Sequence, residues 1–223
     1  MRVLFLGYRD WAIDVYQSIK NNPNISNDLS LCTTTQELKS YDLSKFDLLI
    51  TCGWSDELDG VADEIFSIGV HCAFLDRYSY GTPIQLQIID GIKFTKHRIF
   101  KFVSSNDKVR AHTHTREYSH EVALDISGSM DDILNQMTST SIVLFNMFLN
   151  DYPNINWRVW EEESIKRNPR VLSDSIIDMQ SFSNMKTDEL YDLIRCLGSP
   201  YPNLVLEDDM GYLYFEKVRY VKK

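Results

Sequence analysis

The chain has 223 residues, of which 43% are hydrophobic and 25% charged, with a formal net charge of −9. That composition excludes a disordered or fibrous chain, and the acidic balance argues against nucleic acid as the main partner, because phosphate binding needs a basic face. No run of about 20 apolar residues occurs, so no membrane partner is expected, and the apolar stretch 2–7 is too short for a signal-peptide core, so no targeting segment is expected.

Arg2–Gly7 reads as a buried first strand ending in glycine. Asp10 is placed to cap a helix running to about Asn21, with Trp11, Ala12, Val15 and Ile19 at helical spacing. Gly7 is alone in the first turn, so the GxGxxG dinucleotide fingerprint is absent and a nicotinamide enzyme is disfavoured. A second strand is expected over Leu29–Thr33, a short helix over Thr35–Ser40, and a stronger buried strand over Asp47–Cys52 that ends at Gly53-Trp54. Ser55 resembles a helix N-cap, with Leu58, Val61, Ala62, Ile65 and Phe66 turned inward. The next strand is expected over Gly69–Phe74, followed by a tyrosine-rich turn (Tyr78, Tyr80, Gly81) and a short helix over Ile84–Ile89. Short buried strands alternating with helices predict an α/β fold: a Rossmann-like, mostly parallel sheet with helices on both faces.

After Gly91 the pattern changes. His97–Val103 and Glu117–Ile126 look extended, with a polar loop between them. Ser129 caps a long helix from Met130 to about Leu149, with Asp132 at the reciprocal capping position. Ile133, Met137, Val143, Leu144, Met147 and Phe148 are expected to cover the sheet. Beyond residue 150 a polar linker runs to Asn184, Thr187 caps a helix over Asp188–Leu197, and a terminal hairpin turns at Asp208–Gly211. The organisation expected is therefore an α/β domain over 1–150 and a C-terminal extension over 151–223. The tyrosines 212, 214 and 220 of that extension form either a dimer surface or part of its own core.

Cys32, Cys52, Cys72 and Cys196 are scattered without CxxC spacing and read as unpaired thiols of a protein of the reducing cytoplasm. Among residues that carry chemistry, His71 stands where a buried strand runs out, and the loop after it is rich in groups that bind polar ligands. His112, His114 and His120 fall close enough to share a zinc ion, but no carboxylate or cysteine stands beside them at ligand spacing, and no metal is expected. Asp107, in the polar loop, acquires meaning only with a partner.

The stretch GVHCAFLDRYSYGTPIQLQIIDG, residues 69–91, resembles the core of the folate-dependent N-formyltransferases. This superfamily includes methionyl-tRNA, glycinamide ribonucleotide and nucleotide-sugar formyltransferases. Their motif runs Asn-x-His, a Ser-x-Leu-Pro turn, Tyr-Arg-Gly, then a proline and an apolar run ending in glycine. His71, Tyr78, Pro83 and Gly91 fall in register with it, and Thr82–Ile89 is most similar to the sugar branch. The segment Leu190–Asn203 resembles the Ile-Arg…Pro-Tyr-Pro segment of the same enzymes. Three positions depart: Gly69 stands at the asparagine, Ala73-Phe-Leu-Asp76 at the Ser-x-Leu-Pro turn, and Ser79 at the arginine.

The resemblance implies transfer of a formyl group from N10-formyltetrahydrofolate, as co-substrate, to the amine of a nucleotide-linked (dTDP) amino-dideoxysugar. The setting implied is cytoplasmic synthesis of surface-polysaccharide sugars such as those of the lipopolysaccharide O-antigen, by a homodimer. It makes His71 catalytic, with Asp107 or, counted back from the following strand, His114 as its acidic or polar partner. It assigns Gly53, Trp54, Phe74 and Leu75 to the folate, and Tyr78, Tyr80, Gly81, Thr82, Pro83 and Gln85 to the sugar nucleotide. The alternatives are a formyltransferase-like protein that binds without catalysis, motivated by Gly69, Asp76 and Ser79, and a hydrolase with a metal on His112, His114 and His120.

Overall fold

Alternation along the first strand sets up two hydrophobic layers. In β1 (Val3–Leu6), Val3 and Phe5 join one buried cluster and Leu4 and Leu6 another. In β3 (Leu48–Thr51), Leu48 and Ile50 go with the first cluster and Leu49 with the second. A strand whose odd and even residues are both fully buried must be covered on both faces, which is the helix-on-both-faces arrangement expected. The computed structural model describes residues 1–25, 28–56, 58, 60–74, 78, 82–102, 117–159 and 167–221.

The chain divides into two compact units, each assembled from three segments: 1–72, 96–124 and 135–163 in the first, and 73–95, 125–134 and 164–223 in the second. The first unit is built on a seven-stranded sheet ordered β2-β1-β3-β4-β5-β6-β7. β2 (Leu29–Cys32), β1, β3 and β4 (Ser67–His71) run parallel, and β5 (Phe94–Lys101) is antiparallel to β4. β6 (Glu117–Asp125) lies next to β5 and pairs antiparallel with the two-residue β7 (Arg158–Val159). The helices α1 (Asp10–Ile19), α2 (Thr35–Leu38) and α3 (Val61–Glu64) connect the parallel strands.

Several expectations change here. Arg9, not Asp10, is the N-cap of α1, and Asp10 sits in its first turn. Ser55 caps no described helix: α3 begins only after Gly60, and the Ser55 hydroxyl bonds to the Tyr8 hydroxyl instead. β4 stops at His71, three residues earlier than expected.

The long helix α5 (Met130–Asp151) has the predicted cap: Ser129 N donates to Asp132 Oδ2 at 2.9 Å, and Asp132 N donates to Ser129 Oγ at 3.3 Å. Its inward stripe differs. Leu144, Phe145, Phe148 and Leu149 are buried together with Ser141, while Val143 and Met147, four residues apart on the outer face, are exposed.

The second unit holds α4 (Pro83–Ile89), α6 (Met179–Asn184), α7 (Thr187–Arg195) and a three-stranded sheet ordered β10-β9-β8. β9 (Leu204–Asp208) and β10 (Gly211–Phe215) form the expected hairpin, although the second strand ends five residues short of Tyr220. β8 (Ile176–Asp178), which adds in parallel to β9, lies where only a linker was expected. Lys186 is the N-cap of α7, and its N–H is taken by the Glu189 carboxylate at 3.0 Å; Thr187 is already helical. Lys93 reaches both oxygens of Asp192 at 2.8 Å, and Arg195 Nε donates to Asp192 Oδ1 at 2.6 Å. Arg195 Nη1 also donates to the carbonyls of Ile126 and Gly128.

Candidate active site

His71 is the last residue of β4, and only 7% of its surface is exposed. β4 is a parallel strand with β3 on one side, in the register Thr51↔Gly69, and antiparallel β5 on the other, in the registers Gly69↔Phe100 and His71↔Arg98. The carboxyl end of β4 therefore lies level with Gly53-Trp54, two and three residues past Thr51. Strand carboxyl ends in an open α/β sheet are where ligands bind, because loops splay apart there. Gly53 has a φ of 62°, a left-handed conformation that glycine adopts without strain, and it turns the chain out of the sheet. The Trp54 ring meets the Tyr8 ring edge-on at 5.8 Å, and its Nε1–H is buried with no hydrogen-bond partner among the described residues. An orphaned indole donor at this end of the sheet suits a polar heterocycle, since leaving such a donor unmade costs about 1–3 kcal/mol.

Gly69 explains itself by its neighbours. A Cβ built on it would lie 2.4 Å from Thr51 Oγ1 and 2.5 Å from Phe100 Cζ. Both neighbours are buried. The position that the resemblance gives to asparagine is filled by a hydroxyl from β3 and a ring edge from β5.

Arg98, directly across from His71, is committed elsewhere. Its Nε bonds to the Glu121 carboxylate, and its guanidinium lies 4.9 Å from the centre of the Tyr118 ring. Burial alone would raise the Glu121 carboxyl, but hydrogen bonds from Lys96 and Arg98 hold it below the usual range. Glu121 thus serves two cations of β5, Lys96 and Arg98.

Of the remaining first-unit histidines, His97 is fully buried, with Nδ1 2.7 Å from Thr140 Oγ1, and burial pushes its imidazole down to about 3. It ties β5 to α5 as a neutral group. His120 bonds to Asp151 Oδ2 at 2.9 Å through Nε2 and to Ser119 Oγ through Nδ1. Asp107, His112 and His114 lie outside the described residues, as do Leu75, Tyr80 and Gly81. Among the described residues no group of histidine, cysteine and acidic side chains could hold a metal ion. All four cysteines are free, and desolvation pushes the Cys72 thiol up to about 12, which removes the residue next to His71 as a thiolate nucleophile.

In the second unit, Phe74 packs against a small buried cluster of Ala73, Tyr78 and Leu86. Tyr78 is buried, and its hydroxyl donates to Asp90 Oδ2 at 2.7 Å. The Arg167 guanidinium bonds to the same carboxylate and lies 5.5 Å from the Tyr78 ring centre. Thr82 is the N-cap of α4 and Pro83 its first residue, where a missing N–H costs nothing. Gln87, fully buried, accepts from Thr95 Oγ1 and donates from Nε2 to the Pro83 carbonyl at 3.0 Å. Gln85 is almost as deeply buried, yet among the described residues its Nε2 has no partner, and neither has Thr82 Oγ1. Two buried orphan groups within four residues mark this turn as a place for a polar ligand.

Sequence reasoning missed Thr51 and Phe100 as neighbours of Gly69 and missed Glu121 as the partner of Arg98. The only signal was Gly69 itself, a glycine inside a strand, which marks close approach by other groups.

No protein-family model and no curated protein matches the sequence. Solved structures do match. A methionyl-tRNA formyltransferase from Clostridium thermocellum aligns over 99% of this chain and 94% of its own, with a TM-score of 0.82 and 19% identity. A sugar N-formyltransferase from a Shewanella species aligns over 100% and 99%, with a TM-score of 0.71 and 13% identity. HypX from Aquifex aeolicus, in complex with tetrahydrofolic acid, aligns over 93% of this chain and 36% of its own, with a TM-score of 0.71 and 13% identity. The fold of this chain is the formyltransferase fold. No helix among the described residues is long and apolar enough to cross a membrane.

Proposed function

We propose that this protein is a folate-dependent N-formyltransferase whose acceptor is the amine of a nucleotide-linked amino-dideoxysugar. The observation that carries the reading is His71, held nearly buried at the carboxyl end of the last parallel strand, inside a fold shared along its whole length with sugar formyltransferases. The folate, when bound, supplies the formyl group; the orphan donor of Trp54 and the turn at Gly53 are suited to hold it, with Phe74 and Leu75. Thr82, Pro83 and Gln85 are assigned to the sugar nucleotide, with Tyr80, Gly81 and, on its buried side, Tyr78. The dTDP base and the O-antigen role are the form of this reading that the resemblance favours.

In the reaction the amine nitrogen forms a bond to the formyl carbon as that carbon's bond to the donor nitrogen breaks. A proton leaves the amine and one arrives on the donor nitrogen. His71 donates through a ring nitrogen to the oxygen on which negative charge develops, and it relays the proton. Asp107, or His114 in its place, orients His71. Arg98 is engaged by Glu121 and is given no part in the step.

The exposed face of β10, carrying Tyr212 and Tyr214, is not covered by this chain's own core, and we assign the homodimer contact to it. A second reading, binding without transfer, is favoured by one observation: Phe100 and Thr51, packed against Gly69, leave no room for a side-chain amide at position 69.

The deciding experiment incubates the protein with N10-formyltetrahydrofolate and a panel of nucleotide-linked amino-dideoxysugars, read by mass spectrometry. One formyl group gained by one sugar is expected. Folate binding with no product from any sugar would replace the transferase reading with the binding one.

A further inference from the structure

From the position of its hydroxyl, we infer that Thr51 supplies the donor that residue 69 does not, hydrogen-bonding to the formyl oxygen beside His71. The inference rests on the formyl-transfer reading above and identifies a residue that the resemblance does not assign.

Three facts carry it. The first is distance. Thr51 Oγ1 lies 2.4 Å from the Cβ that a side chain at 69 would have. In an asparagine the amide nitrogen stands about 2.4 Å from its own Cβ, as bond lengths of about 1.5 and 1.3 Å dictate. The hydroxyl thus sits at the reach of an amide donor, on the side-chain side of Gly69, two residues from His71. Alternation along β4 sends positions 69 and 71 to the same face of the sheet.

The second fact is availability. The hydrogen bond from Thr51 Oγ1 goes to the Ile68 carbonyl at 3.4 Å, well beyond the 2.5–3.0 Å of an ordinary O–H···O bond. Thr51 is 7% exposed. A buried hydroxyl with only a long bond can turn to a better acceptor at little cost, and in a water-poor site its donation is worth more.

The third fact is the surroundings. Phe100 Cζ and Cε1 lie 2.5 and 2.8 Å from the same Cβ position. Of the three heavy atoms nearest that position, the Thr51 hydroxyl is therefore the polar one and the other two are ring carbons. Ring carbon beside a hydroxyl keeps competing water from that side.

The test compares wild type, Thr51→Val and Thr51→Ser in the transfer assay, with melting temperature as a folding control. Valine keeps the shape of threonine and loses only the hydroxyl; serine keeps the hydroxyl. The expected result is a fall in kcat of about 10²–10³-fold for valine, with KM for the donor within about twofold, and rescue by serine to within about tenfold of wild type. A second readout does not depend on turnover: the infrared carbonyl band of an isotope-labelled, oxidation-resistant deaza analogue of the formyl donor, bound to each protein. Loss of a hydrogen bond in Thr51→Val should move that band to higher frequency, and serine should move it back. Valine activity within twofold of wild type overturns the inference. So does an equal loss in valine and serine, or a loss with no movement of the band. A wild-type protein that formylates none of the sugars removes the transfer reading itself, and the role of Thr51 falls with it.

Discussion

Substituting Gly69 tests the packing argument most directly. Adding one methyl group at this position places carbon 2.4 Å from Thr51 Oγ1 and 2.5 Å from Phe100 Cζ, where about 3.5–4.0 Å is the contact optimum. The Thr51 side chain is small and can rotate. Phe100 is 4% exposed and packed in the cluster of Leu4, Leu6 and Leu49, so its ring must displace its neighbours. Overpacking of this kind costs about 1–3 kcal/mol, and Gly69→Ala should lose that amount in urea unfolding followed by tryptophan fluorescence. Phe100→Leu removes the two ring atoms that clash while keeping the carbons nearer the backbone, at a cost on the order of 1–2 kcal/mol. The double variant should therefore be less destabilised than the sum of the singles by at least about 1 kcal/mol, the size expected for residues in contact. Strict additivity, or a Gly69→Ala protein as stable as wild type, would refute the claim that Phe100 holds position 69 empty. The same geometry means that Gly69→Asn alone cannot install an amide donor; Phe100 has to shrink with it.

His71→Ala and His71→Asn should each abolish transfer while leaving the melting temperature within a few degrees of wild type; retained turnover would remove His71 from the chemistry. For His97, the folded pKa of about 3 lies below the unfolded value near 6.5, so the native state binds fewer protons and its stability is full above 6.5 and falls as pH drops toward 3. Between pH 7.5 and pH 5 this one group should cost about 2 kcal/mol; the loss should be absent from His97→Gln and so appear as the difference between wild type and variant in parallel urea titrations. Asp192→Ala strands Arg195, a nearly fully buried cation, without its carboxylate. We expect a loss of about 3–5 kcal/mol in the same unfolding assay, and a loss under 1 kcal/mol would mean that the Ile126 and Gly128 carbonyls suffice.

What the sequence made legible follows from how local each signal is. β1, β3 and the Ser129–Asp132 cap were readable because an unbroken apolar run or a three-residue spacing encodes them. β7 and β8 were not, since two or three residues carry no period, and both exist only by pairing with distant strands. The expectation that Val143 and Met147 face the sheet failed because the α5 stripe is shifted by the fully buried Ser141, a residue that hydropathy places outside. At the site, His71 stood out as a lone histidine at a strand end. The roles of Thr51 and Phe100 could not be read, because they depend on the register of three neighbouring strands and not on any spacing within one. The two candidates for its partner, Asp107 and His114, stay as the resemblance left them.

Each unit draws on three separate stretches of chain, and this bears on how the protein is made. A ribosome delivers residues in order, and domains tend to form as their last strand or helix emerges. Here the parallel strands β1 to β4 are all present once residue 71 has been synthesised, so the pairing that holds Gly69 against Thr51 can form early. The second unit is different. Its α4 turn, with the orphan groups of Thr82 and Gln85, must wait for α7 and for β8 to β10, which come from the final quarter of the chain. During translation the strands that carry His71 are therefore complete well before the elements that finish the second unit, and a message truncated after α5 would carry the α4 turn without α7 and without β8 to β10.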